Sequence, residues 1–120
     1  MEIINENDVR QDEPVPHGHI GMSTAYRLTA QVTQRTMEFR RRTLHLDAAI
    51  GLHLIDHDEV YYVLSGKGEV EANGRTSILD AGMMAYLRSG ETVGIRQLGD
   101  APLDMIVSYP LPAAVDPAVP

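Results

Sequence analysis

The 120-residue chain has no cysteine, which excludes disulfide bonds and thiolate metal ligands. Tryptophan is also absent and there is a single phenylalanine. The core must therefore rest on Leu, Ile, Val, Met and the five tyrosines. No apolar run approaches the roughly 20 residues needed to span a bilayer. Positive charge is scarce, and the net charge is −7. That argues against nucleic acid or an anionic membrane as partner, because both need a cationic footprint. The one basic run, Arg40-Arg41-Arg42, is short, and on a strand its middle residue faces away from its neighbours. The acidic start, Met1 to Asp8, lacks the basic region and apolar stretch of a secretory signal, so a cytoplasmic location is expected. No stretch reads as a helix-turn-helix, which argues against direct transcriptional regulation.

What remains is β-like. Residues 1–20 are polar, carry Pro14 and Pro16, and read as an arm leading into the domain. Residues 21–109 read as one domain, a length sufficient to bury a core. Residues 110–120 are rich in proline and alanine and read as a frayed tail. Within the domain, short strand-like runs cover Phe39–Leu46, Gly51–Ile55, Val60–Leu64, Gly68–Ala72, Thr76–Leu79, Met83–Leu87, Thr92–Leu98 and Leu103–Tyr109. Asn73-Gly74 is a hairpin signal, because a type I′ turn needs positive φ at both central residues. Many short strands without a helix predict a sandwich or closed barrel.

Alternation adds a second layer of information. His53, Ile55, His57, Glu59, Tyr61 and Val63 share one parity, and a turn that preserves parity places them all in the interior. Leu52, Leu54, Val60, Tyr62 and Leu64 then face outward, as a second packing surface or a dimer face.

His53 to Gly66 resembles the first signature motif of the cupin family, G-x5-H-x-H-x3-E-x6-G. His53, Glu59 and Gly66 sit at the motif spacing, and Ile55 stands at the second histidine. Gly82 to Gln97 resembles the second motif, G-x5-P-x-G-x2-H-x3-N. There Gly82 and Gly90 match, Arg88 replaces the proline, Val93 the histidine and Gln97 the asparagine. The resemblance covers about Arg40 to Tyr109. It implies an all-β cupin-type double-stranded β-helix, a jelly-roll barrel, and a homodimer.

The resemblance also implies a site. In cupins of intact pattern the two motifs supply three histidines and a glutamate to a metal. Carried over, the matching ligands are His53 and Glu59; Ile55 and Val93 cannot ligate and make that part of the pocket apolar. His57 completes a two-His-one-carboxylate set with His53 and Glu59 if the turn aims it inward; otherwise it sits in an exposed polar turn. Such a set would suit one divalent transition metal (Zn, Ni, Mn or Fe). His17 and His19 have H-x-H spacing on the arm, where Pro-His-Gly resembles a lead-in of small cupins. His45 reads as an ordinary hydrogen-bonded histidine. Without metal, His53 and Glu59 are expected to hydrogen-bond and to form a catalytic acid–base pair or a structural remnant. Tyr61, Tyr86 and Arg41 are further candidates for binding a small molecule, the arginine by bidentate bonds to a carboxylate or phosphate.

Three functions follow as expectations. The first is a cupin that binds a sugar- or sugar-acid-like metabolite in a degenerate, metal-free pocket. The second is a metal-dependent isomerase, lyase or dioxygenase. The third is a structural dimeric module.

Overall fold

The computed structural model describes residues 1–118. After a 3-10 turn at Glu6–Asp8, the described residues form ten strands. They are β1 (Arg10–Pro14), β2 (Met22–Arg27), β3 (Arg35–Leu44), β4 (Ala49–Leu54), β5 (Glu59–Ser65), β6 (Lys67–Ala72), β7 (Arg75–Asp80), β8 (Met84–Leu87), β9 (Thr92–Leu98) and β10 (Leu103–Val115). Six form one antiparallel sheet in the order β1-β2-β3-β10-β5-β8, and four form a second in the order β4-β9-β6-β7. The two sheets enclose one core, which makes a jelly roll. No helix among the described residues is long and apolar enough to cross a membrane.

The strand alternation read from the sequence is what places the core. On β5, Glu59, Tyr61 and Val63 are buried, while Tyr62 and Leu64 between them are exposed. Leu44, Val93, Leu103 and Met105 meet them between the sheets, each fully buried. β6 and β7 are joined at Asn73-Gly74, with φ of 49° and 81°, as a type I′ turn requires. Gly68 lies where any Cβ would come 2.8 Å from Leu103 Cδ2. A side chain there would push the two sheets apart.

Both ends of the chain differ from expectation. The segment read as an arm contributes β1, which pairs with β2 from Arg10↔Tyr26 to Pro14↔Met22. Val15 behind it is fully buried. The segment read as a tail extends β10 to Val115 along β3, with Pro110 opposite Met37. Its pairing with β5 ends at Ser108↔Val60. Beyond that point β10 is an edge on one side, where proline disrupts no ladder. Pro120, the end of the expected tail, lies outside the described residues.

The outward set also divides. Leu52 and Leu54 lie on β4 in the four-stranded sheet, whereas Val60, Tyr62 and Leu64 lie on β5 in the other. They do not form one continuous face, because the chain changes sheet at residues 55–58.

Candidate functional site

A cavity of about 90 Å³ opens between the sheets. Arg40 and Arg42 of β3, His53 of β4, Glu59 and Tyr61 of β5, and Tyr109 of β10 line it, and His17 covers it from the loop after β1. The change of sheet between β4 and β5 is what sets His53 and Glu59 on facing walls.

Glu59 is 6% exposed. Its Oε1 lies 3.4 Å from His57 Nε2, and its Oε2 is buried without any hydrogen-bond partner. Tyr61 beside it is 1% exposed. Burial, then the Glu59 charge and its position within hydrogen-bonding range, push the Tyr61 hydroxyl well above its usual range. No well-aligned hydrogen bond from a described residue reaches Oε2. His57 stacks on Tyr109 with ring centroids 4.2 Å apart, and its Nδ1 lies 2.9 Å from Asp56 Oδ1.

His53 is held differently. Its Nδ1 lies 2.8 Å from the Gly51 carbonyl. A carbonyl only accepts, so Nδ1 carries a proton, and in the neutral ring Nε2 is then the acceptor. The ring stacks face to face on His17. Burial, then His53 and Arg42, hold the His17 imidazole below its ordinary pKa.

The arginines are fixed by acids, a half-buried Glu13 and a buried Glu38. Arg42 Nη1 donates to Glu13 Oε1 at 3.1 Å and to Ser23 Oγ at 2.8 Å. Burial works against the Arg42 charge, and Glu13 opposes that effect. Glu13 also pairs with Arg27. Arg40 Nη2 lies 3.3 Å from Glu38 Oε2, and Glu38 in turn accepts from Thr29 Oγ1 at 2.9 Å and pairs with Arg35. Nη2 and Nε of Arg42 and Nη1 of Arg40 take no partner among the described residues.

Several expectations are corrected here. Arg41 does not reach the cavity: it pairs with Asp104 and Glu6 and lies over Tyr26 on the outer face. Arg40 and Arg42 share the inward parity of Leu44, Ala48 and Ile50, and a bulge between Ile50 and His53 in β4 then shifts the inward set to His53 and Ile55. Tyr86 is also outside, 51% exposed, donating to Asp58 Oδ2 at 2.6 Å. Ile55 and Val93 pack in the core rather than on the cavity wall, with Val93 directly across from His53. His53 and Glu59 share the cavity but not a hydrogen bond; the neighbour of Glu59 is His57. His45 Nε2 lies 3.0 Å from Thr24 Oγ1.

The set His53, His57 and Glu59 does not converge on a common point. Among the described residues no three His, Asp or Glu side chains are grouped to hold an ion. His57 is engaged with Asp56 and Tyr109, and His53 with Gly51 and His17. This donor set does not fit a resident transition metal.

The family described as Cupin domain matches residues 42–109. The chain therefore belongs to the cupin family. It is 32% identical over 69 residues to an oxalate-binding protein of Thermotoga maritima, a match covering 57% of each chain, so it spans little more than half of that relative. Among solved structures, a predicted oxalate decarboxylase of T. maritima superposes with a TM-score of 0.79 at 22% identity, covering 92% of this chain and 99% of that one. The polyketide cyclase RemF of Streptomyces resistomycificus superposes at 0.77 with 18% identity, covering 100% and 87%. At these identities the superpositions speak for the fold. The sequence match and the family together support a small-molecule-binding or enzymatic cupin.

Proposed function

We propose that the cavity binds a small organic acid through Arg40 and Arg42, without a resident metal. The observation that carries this reading is a buried, cavity-lining Arg42 that keeps donors unused by the protein. Arginine presents a planar fork suited to a carboxylate. His53 Nε2 and the Tyr61 hydroxyl add polar groups, and Val107 adds an apolar wall. A cavity of about 90 Å³ suits a small acid better than a bulky ligand. The curated relative's name, an oxalate-binding protein, points to the same class of ligand.

The test is calorimetric titration of tag-free protein with acetate, oxalate and glucose, before and after chelator treatment. At least one of the acids should bind, glucose should not, and chelation should change nothing. Hydrogen bonds to charged groups contribute about 1.5–3 kcal/mol, so Arg40→Met should weaken binding about tenfold or more. Binding of glucose alone, or loss of acid binding with chelated metal, would overturn the reading.

A further inference from the structure

The groups lining the cavity ask for different things from a ligand. Arg40 and Arg42 offer donors. Glu59 Oε2 offers an acceptor, on a residue 6% exposed, and no described residue makes a hydrogen bond to it. A buried acceptor left unmade is unfavourable, and a ligand that supplies its missing donor removes that penalty. A simple carboxylate cannot do so, since it carries acceptors only. Oxalate would present a carboxylate to the arginines and a second one toward Glu59.

Resting on the organic-acid reading above, we propose that the site selects a small hydroxy acid, with its carboxylate on Arg40 and Arg42 and its hydroxyl donating to Glu59 Oε2. Charge is consistent with this: Arg40 and Arg42 line the cavity together with Glu59, so a second ligand carboxylate would meet a like charge at Glu59, whereas a hydroxyl would not. Specificity also follows from chemistry: a site built around a ligand hydroxyl discriminates strongly against the analogue that lacks it. Glu59 thereby becomes the specificity-determining residue, and Arg40 and Arg42 supply affinity for the whole class. His57, 3.4 Å from Oε1, lies against the other carboxylate oxygen and leaves Oε2 open.

The experiment uses two pairs of acids that differ by one hydroxyl: glycolate against acetate, and 3-hydroxypropionate against propionate. Each is titrated into the full chain at pH 7.5, with oxalate alongside. At least one hydroxy acid should bind about tenfold or more tighter than its partner, and tighter than oxalate. In Glu59→Leu that ratio should fall to about one. In Glu59→Gln, oxalate should gain relative to the hydroxy acids, because the repelling oxygen becomes an amide. Equal binding within both pairs in the wild type would overturn the hydroxy-acid inference while leaving the organic-acid reading standing. A ratio unchanged in both Glu59 variants would do the same. Failure of every acid to bind would overturn both.

Discussion

His17 stacks on His53 with ring centroids 3.6 Å apart and planes 2° from parallel. One ring comes from the loop after the first strand and the other from β4, so the stack closes the N-terminal segment over the cavity. Because partial desolvation in the stack, His53 and Arg42 lower the pKa of the solvent-exposed His17 from 6.5, the folded chain binds fewer protons there than the unfolded chain, a small effect that solvent screens. Stability is then fully present above 6.5 and is lost as pH falls through it toward the folded value. His17→Asn, which tolerates the left-handed backbone at φ 62°, should show a smaller loss of melting temperature between pH 7.5 and 5.5 than wild type. An equal loss would mean that His17 is not the sensor.

Gly51 makes that stack possible. A Cβ there would lie 1.9 Å from the His17 backbone oxygen, so the loop must move if any is added. Gly51→Ala should destabilise by about 1–3 kcal/mol in urea unfolding, as overpacked sites do, and should disturb ligand binding as well. Gly74→Ala is the comparison: no atom lies within 4 Å, and only its φ of 81° opposes a side chain. It should lose about 1 kcal/mol with binding unchanged.

Acid should attack the arginine supports. Arg27 and then Arg42 hydrogen-bond Glu13 and hold its pKa below the ordinary 4.5. For Glu38 burial acts in the opposite direction and is the largest single influence. The bonds from Arg35 and Thr29, with the Arg40 charge, outweigh it. Both pKa values are depressed, so both residues stabilise the fold above pH 4.5 and lose that contribution as pH falls through the folded values. Stability measured by urea unfolding should decline below pH 4.5. In Glu13→Gln the decline should be shallower, from a lower starting stability at pH 7.

Gln97 stands where the family motif carries asparagine, and it is 6% exposed. Its amide nitrogen donates to the carbonyls of Leu98, Gly99 and Ala101 at 2.9, 2.9 and 2.8 Å, and its oxygen accepts from Asp47 N at 2.8 Å. Gln97→Ala should lose about 1–3 kcal/mol. Gln97→Glu should lose more, because a carboxylate would face three carbonyls. Chemical denaturation of both variants ranks them.

The core strands were legible because their pattern is local. β5 alternates buried and exposed residues one by one, and Asn73-Gly74 carries its turn type in its own conformational freedom. The six-residue step from His53 to Glu59 also kept its parity across the turn. The site was less legible. In Arg40-Arg41-Arg42 the alternation was readable but not its phase, since the bulge between Ile50 and His53 in β4 shifts the inward parity between β3 and His53. Tyr86 lies on the outer side of β8, where Ala85 and Leu87 turn inward. Arg40, Arg42, Glu38 and Tyr109 were missed as site residues, and only the arginine run hinted at them.

By itself the sequence determined the β class, the jelly-roll family and the inward parity of the motif strands, because period-two patterning and turn chemistry act over a few residues. Only the tertiary structure decided which wall each charge lines, that β1 brings Glu13 to Arg42, and that His17 rather than Glu59 is the neighbour of His53. These are contacts between segments far apart in the chain. They are fixed by the pairing of strands and the facing of sheets, which no local pattern encodes.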